Sequence, residues 1–208
     1  MPIQSYGHAT RNKSGILLLM SDTIDTPRRI RYDSIGEAHF LTFSCFRGHH
    51  FLSGERTLTW VADSLNRACN VHRAGTLGYV FMPNHVHLIV FSEDSDFKVG
   101  PFLLSLKESV TRKAIAYRST SNKPPETWER YLDVHPDGKV HFRVWQRGGG
   151  YDRSLWSREE ISEKLEYMHK NPVKRGLVES PFDWKWSSAR YYEFDEIGPV
   201  AITRVDLT

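Results

Sequence analysis

Two histidines stand one residue apart in an otherwise apolar run, FMPNHVHLIV at residues 81–90. In a β-strand, alternate residues point to the same face, so His85 and His87 project together while Val86 and Leu88 face the other way. Two neutral imidazoles that reach one point make half of a metal site. The same pattern also arises when one histidine packs in the core and the other is exposed, and the pair alone leaves both alternatives open.

The metal that such a pair could bind is not a structural zinc ion. Cys45 and Cys69 lie far apart in the chain and form no CxxC pair, and the remaining histidines are scattered. The sequence therefore shows no pattern for a closed set of four zinc ligands. If the pair binds a metal, we expect an open site for a catalytic divalent ion, completed by oxygen or amide ligands, water and substrate.

Tyr167 and Asn171 occupy one flank of a predicted helix. This helix begins at Ser157, where Glu160 three residues later completes a capping-box pattern. Its buried stripe consists of apolar residues at helical spacing, Ile161, Leu165 and Met168. Tyr167 lies off this stripe, and Asn171, four residues on, falls on the same flank. A phenol beside an amide can serve phosphodiester chemistry, with the phenol attacking phosphorus and the amide helping to hold a metal. An amphipathic surface tyrosine is the alternative.

Cations and aromatic rings flank the same helix. The net charge of +3 and the pI of about 8.8 also permit a polyanionic partner. Cations interleaved with rings are typical of proteins that bind single-stranded nucleic acid, although ordinary surfaces carry such mixtures too. The candidate DNA-binding residues are Arg28, Arg29, Arg31, Arg143, Trp145, Arg147, Lys170, Lys174, Arg175 and Lys185.

The rest of the chain supplies the elements that position these groups. Periodicity and turn residues predict a strand at 39–46, a helix at 54–73, strands at 76–82 and 85–91 joined at Pro83 and Asn84, a helix after Pro101, a polar loop at 121–130, a hairpin at 135–144, and a flexible glycine joint at 148–150. This β-α-β-β-α-β order predicts an α+β fold: a ferredoxin-like (split βαβ) antiparallel sheet with helices on one face, followed by the C-terminal tyrosine-bearing helix.

The length of 208 residues favours one domain. We expect a flexible N-terminal extension at 1–27, a folded domain at 28–192 and a C-terminal tail at 193–208. No apolar stretch approaches the roughly 18 residues of a membrane span, so no membrane partner is expected. Cysteine usage predicts a reduced, cytoplasmic setting.

Four segments together resemble a known family. NHVHLIV, then VWQRGGGYDRSLW, then EYMHKNPVKRGLV, then WKWSSARYY stand in the same order as in the single-tyrosine HUH transposases, and most closely resemble their REP-associated branch. The resemblance spans residues 28–192. It implies a nucleoid-associated enzyme that cuts and rejoins single-stranded DNA whose ends are marked by hairpins of repetitive palindromic sequence.

The resemblance also implies roles for individual residues. His85 and His87 hold a Mg²⁺ or Mn²⁺ ion with Asn171 as the third ligand, and Tyr167 is the nucleophile that becomes linked to the 5′ phosphate. The enzyme is a monomer, or a homodimer that exchanges the tyrosine helix, which a glycine joint at 148–150 would allow.

Two other functions use part of the same evidence. A non-catalytic DNA-binding regulator on the same fold needs the cations and the rings but not the tyrosine. A metal hydrolase that activates a water molecule needs the histidine pair but forms no covalent intermediate with the protein.

Overall fold

The computed structural model describes residues 38–121 and 126–204. The strands in this part of the chain are β1 (Ala38–Ser44), β2 (Ala74–Met82), β3 (His85–Ser92), β4 (Leu132–Val134), β5 (Val140–Phe142) and β6 (Tyr151–Leu155). The helices are α1 (Glu55–His72), α2 (Val99–Thr120), α3 (Arg158–His169), α4 (Asn171–Lys174) and α5 (Ala189–Phe194). None of the helices in the described part is long and apolar enough to span a membrane.

Four strands form the central antiparallel sheet, in the order β2-β3-β1-β6. Helix α1 connects β1 to β2, the β2–β3 hairpin follows, and α2 lies between β3 and β6. This is the connectivity of the split βαβ plan, in which the first and third strands of the sheet lie at its centre. The predicted ferredoxin-like fold is therefore confirmed.

The two faces of the sheet bury different helices. Val86 and Leu88 of β3 pack in one cluster with α1 and α2, whereas Ile89 packs in a second cluster with α3. Helix α3 approaches β2 closely at Gly78, where an added Cβ atom would lie 2.3 Å from Cδ2 of Leu165. The tyrosine-bearing helix thus covers part of the face opposite α1 and α2.

The segment before α3 differs from the sequence prediction. Residues 151–155 form β6, a strand that the sequence did not predict, while the predicted hairpin at 135–144 forms a separate two-stranded sheet of β4 and β5. The glycine joint is a fixed turn: Nζ of Lys107 donates to the carbonyl oxygens of Gly148 and Gly149 at 2.9 and 3.4 Å. Gly150 has a φ of +89°, and a Cβ atom there would lie 2.2 Å from the carbonyl oxygen of Thr42.

Three other boundaries change. Helix α2 begins at Val99, so Pro101 lies in its first turn, where a missing N–H leaves no helical hydrogen bond unmade. Within the predicted polar loop, residues 126–131 form a 3-10 turn that buries Trp128. The predicted tail contributes Val200 and Ile202 to the core, so the folded domain extends beyond residue 192. The predicted N-terminal extension at 1–27 lies outside the described residues, and so do the candidate DNA contacts Arg28, Arg29 and Arg31 that follow it.

Candidate metal and tyrosine site

His85 and His87 project from β3 on the face that α3 partly covers. Their Nε2 atoms lie 3.1 Å apart, and His87 is only 5% exposed. The alternation of the strand predicts this shared face. The two imidazoles therefore converge on one point beside the tyrosine helix.

The other nitrogen of each ring is held by a neighbouring side chain. Nδ1 of His85 lies 2.7 Å from Oδ1 of Asn84, in the turn between β2 and β3. Nδ1 of His87 lies 2.7 Å from Oγ1 of Thr42, which stands opposite His87 in the β1–β3 pairing. Because an amide oxygen only accepts, Nδ1 of His85 carries the proton and its Nε2 keeps a lone pair. The Thr42 hydroxyl can likewise accept from Nδ1 of His87, and in that tautomer both Nε2 atoms have a lone pair for a metal.

The environment keeps both rings neutral. Burial, assisted by the positive charge of Arg175, lowers the pKa of His85 to about 4. Burial, followed by the charges of His85 and Arg175, lowers the pKa of His87 to about 3. Both imidazoles are therefore uncharged at neutral pH and can offer lone pairs to a cation.

The donor set fits a hard divalent cation in an open site. Two nitrogens 3.1 Å apart can both lie about 2.1 Å from one ion. They would then subtend roughly a right angle at the ion, as neighbouring ligands of an octahedral site do. No group of three or more His, Cys, Asp or Glu side chains that could hold a metal occurs among the described residues. Further ligands would therefore be amide, water or substrate oxygens, which suit Mg²⁺ or Mn²⁺ better than structural zinc.

Tyr167 lies beside this pair in the same chain. The centroid of its ring is 6.0 Å from that of His87 and 6.1 Å from that of Phe40, both in edge-on contact. The tyrosine is 43% exposed, whereas Leu165 and Met168 on the same helix are buried. The helical wheel placed Tyr167 off the buried stripe, and the structure turns this flank toward the histidines.

Asn171 is tied to the same helix turn. It opens α4, it is buried, and its Nδ2 donates to the carbonyl oxygen of Tyr167 at 3.1 Å. This bond uses one of the two N–H donors of the amide and leaves Oδ1 as an acceptor for a further partner. An amide oxygen is the kind of ligand that the histidine pair lacks.

Three cations surround Tyr167 and the histidines. Nζ of Lys164 lies 5.6 Å from the centroid of the Tyr167 ring, and Nζ of Lys174 lies 5.1 Å from it. Arg175 is near enough to lower the pKa of both histidines. This positive charge would attract a phosphate group to the site.

The remaining DNA-binding candidates have other contacts. Lys170 pairs with Glu166, Lys185 pairs with Glu55 at 2.7 Å, and Arg143 and Arg147 both pair with Asp133. These ion pairs are exposed or partly exposed, so such cations can still meet a phosphate backbone.

Trp145 departs from its predicted role. Its indole N–H donates to the carbonyl oxygen of Lys107 at 3.0 Å, and its ring packs edge-on against Phe43. Since the side chain is buried, its faces are not accessible to a base. The sequence prediction of Trp145 as a DNA contact is therefore corrected to a role in the core.

Sequence reasoning missed Thr42, Asn84, Phe40 and Lys164. Asn84 directly precedes His85, so its short polar side chain in the turn was an available signal. Thr42 and Phe40 belong to β1, and only the register between β1 and β3 brings them to His87.

Known proteins were compared with this chain in sequence and in structure. No family model matches it. A Haemophilus influenzae protein provisionally named a REP-associated tyrosine transposase is 23% identical over 141 residues, covering 64% of this chain and 73% of that protein. A solved REP-associated tyrosine transposase bound to a REP hairpin superposes with a TM-score of 0.57 at 16% identity, covering 84% of this chain and 88% of that one.

The chain resembles the REP-associated tyrosine transposases in both sequence and fold. The resemblance that the four sequence motifs suggested is therefore confirmed. At 16% identity the structural match with the hairpin-bound transposase shows the shared fold alone.

Proposed function

We propose that the protein is a REP-associated tyrosine transposase, a DNA endonuclease that cleaves and rejoins hairpin-marked single-stranded DNA through a 5′-phosphotyrosine at Tyr167. One observation carries this proposal: Tyr167 makes an edge-on contact with His87 of the same chain. His87 is one of two neutral imidazoles whose Nε2 atoms converge on one point. The names of the two relatives point the same way, since one is called a REP-associated tyrosine transposase and the other is bound to a REP hairpin.

The metal-binding residues in this proposal are His85, His87 and Asn171. When bound, a Mg²⁺ or Mn²⁺ ion would polarise the scissile phosphate and stabilise the charge that develops on it. Asn84 and Thr42 orient the two rings through their Nδ1 atoms, and the carbonyl oxygen of Tyr167 anchors the Asn171 amide.

Tyr167 supplies the nucleophile. Its hydroxyl oxygen attacks phosphorus, and the bond from phosphorus to the 3′ oxygen of the neighbouring nucleotide breaks. The phosphate stays on the 5′ end of the downstream fragment, joined to Tyr167, and the released 3′ oxygen of the upstream fragment takes up a proton. Because the tyrosine is 43% exposed, its own proton can pass to water. Attack by a 3′ hydroxyl on the phosphotyrosine reverses these changes and rejoins the strand.

The cations beside the tyrosine hold the substrate phosphate. Nζ of Lys164 and Nζ of Lys174 lie over the Tyr167 ring. Arg175 lies near the histidines. These cations offset the negative charge of the phosphate as it approaches. This favours a position of the phosphorus in line with the attacking hydroxyl oxygen of Tyr167.

A denaturing gel tests the proposal. Labelled hairpin DNA with single-stranded extensions, taken from the flanks of the protein's own gene, is mixed with protein and either Mn²⁺ or Mg²⁺. Wild type should give a covalent protein–DNA adduct that is lost in Tyr167→Phe and after metal chelation. Tyr117→Phe is the matched control, because Tyr117 lies on α2 and packs against Trp60 and Trp128.

Other outcomes would replace the proposal. Cleavage that persists in Tyr167→Phe without an adduct would assign the site to a hydrolase that activates water. Tight DNA binding that survives both chelation and Tyr167→Phe, with no cleavage in any condition, would assign the protein to the regulators.

A further inference from the structure

An exposed aromatic side chain stands next to the tyrosine site with no assigned role. Tyr151 is the first residue of β6, and it is 53% exposed. It stands opposite Thr42 in the β1–β6 pairing, and cross-strand partners in an antiparallel sheet share a face. Tyr151 therefore lies on the face that carries Thr42 and His87.

Phe40 links this residue to the reacting groups. Its ring centroid lies 6.2 Å from that of Tyr151, 5.7 Å from that of His87 and 6.1 Å from that of Tyr167. Both tyrosines thus contact the same phenylalanine. A DNA strand with a phosphate at Tyr167 would therefore pass close to Tyr151.

The backbone holds Tyr151 in place although its side chain is exposed. The preceding residue, Gly150, packs directly against the carbonyl oxygen of Thr42, at a φ of +89° that favours glycine. Nζ of Lys107 holds the carbonyl oxygens of Gly148 and Gly149, the two residues before Gly150. On this fixed backbone only the two side-chain torsions of Tyr151 need to be ordered when a ligand stacks on its ring, so little conformational entropy is lost.

Packing within the fold accounts for little of this ring. Among the described residues, its one aromatic contact is the T-shaped contact with Phe40. The next residue of β6 on the same face, Arg153, is exposed and pairs with Glu160. Lys164 and Lys174 lie over the ring of Tyr167. An accessible ring among cations is the combination that binds single-stranded DNA, because bases stack on the ring while cations contact the backbone.

We propose that Tyr151 is a stacking platform for an unpaired base next to the phosphate that Tyr167 attacks. This inference rests on the proposed function and adds a residue that positions the substrate strand. The ring acts through its face and not through its hydroxyl. The base of one nucleotide stacks on it, and the stacked base helps to hold the adjoining phosphate at the histidine pair.

Fluorescence of a base analogue tests the stacking. The probe is the gene-flanking hairpin with 2-aminopurine placed at each unpaired position in turn, bound by the full chain in the presence of a chelator to prevent cleavage. Wild type and Tyr151→Phe should quench one position next to the cleavage site, and Tyr151→Ala should not. Binding by Tyr151→Ala should weaken by roughly 5- to 150-fold, the range for removal of one base-stacking ring.

Control variants separate stacking from folding. Phe194→Ala removes a similarly exposed ring from α5 and should bind the probe like wild type. Tyr151→Leu keeps an apolar side chain without a π-face, so it should lose the quenching like Tyr151→Ala even if the alanine variant folds poorly. A thermal melt of each variant gives its folded fraction.

The outcomes distinguish this inference from the function on which it rests. If Tyr151→Ala and Tyr151→Leu quench and bind like wild type while wild type forms the adduct, the stacking role is refuted and the transposase proposal stands. Equal losses in Tyr151→Phe and Tyr151→Ala would also refute stacking, since they would assign the effect to the hydroxyl. If wild type neither binds the hairpin nor forms an adduct, both proposals fail.

Discussion

Replacing Thr42 with valine should weaken metal binding while leaving the fold largely intact. The Thr42 hydroxyl lies 2.7 Å from Nδ1 of His87 and accepts its proton in the tautomer that leaves Nε2 free. Without this acceptor the ring can move its proton to Nε2 and donate to His85 Nε2, 3.1 Å away. That alternative satisfies the buried ring but removes the lone pair that a metal needs.

The magnitude follows from the cost of returning to the metal-binding tautomer. In Thr42→Val, a metal-bound His87 must keep its Nδ1–H buried with no partner, a penalty of about 1–3 kcal/mol. This penalty corresponds to a roughly 5- to 150-fold loss of affinity, since about 1.4 kcal/mol is a factor of ten. Loss of an outer-sphere partner of a metal-binding histidine typically weakens binding by about 10- to 100-fold.

Calorimetric titration of the metal-free protein with Mn²⁺ at pH 7 checks this prediction. Thr42→Ser keeps the hydroxyl and should bind Mn²⁺ like wild type, while the melting temperatures of the metal-free proteins should differ little. Equal Mn²⁺ affinity in wild type and Thr42→Val would refute the tautomer argument. A loss of the same size in Thr42→Ser would also refute it, because packing would then account for the effect.

Two further predictions concern folding stability. Burial lowers the pKa of His169 to about 4, so only the unfolded chain takes up its proton as the pH falls from about 6.5 toward 4, and this should remove about 2 kcal/mol of stability by pH 5. His169→Gln has no ionisable group at this position, so its free energy of unfolding should fall less than that of wild type between pH 7 and pH 5 in urea unfolding. His85 and His87 contribute the same pH dependence to both proteins. Gly150→Ala should lower the free energy of unfolding by at least the roughly 1–3 kcal/mol of a strained positive φ. Gly149→Ala is its control in thermal melts, since an added Cβ atom there meets nothing within 4 Å.

Local patterns predicted those parts of the site that depend on one element. Strand alternation is enough to place His85 and His87 on one face, because it requires no knowledge of the neighbouring strands. The start of α3 follows from a similarly local signal: Ser157 Oγ accepts the N–H of Glu160 at 3.1 Å, and the Glu160 side chain accepts the N–H of Trp156 at 2.7 Å.

Features that depend on pairing between distant segments escaped prediction. YDRSL carries three exposed residues followed by one half-buried and one buried residue, so β6 shows no regular apolar alternation and becomes a strand through its pairing with β1. The same long-range register places Thr42 opposite His87. Trp128 lies in a polar sequence, and its burial becomes visible only when Phe51 and Phe142 are seen to surround it.

The position of Tyr167 depends on contacts that span most of the chain. Nε2 of His169 lies 2.8 Å from Oγ of Ser188, which accepts the backbone N–H of Tyr79 on β2 at 3.0 Å. This network joins α3 to β2 and to the segment before α5.

The same contacts bear on whether the tyrosine helix could be exchanged between two copies of the chain. Release of α3 would break the bond from His169 to Ser188 and expose the buried side chains of Leu165 and Met168. Each such side chain costs about 1.5–3 kcal/mol when it is exposed to water. The turn at 148–150 is also held by Lys107 and leads into β6, which pairs with β1, so it does not act as a free hinge. In the described residues Tyr167 contacts His87 of its own chain, and an exchange of α3 between two copies would have to form these contacts again on the partner.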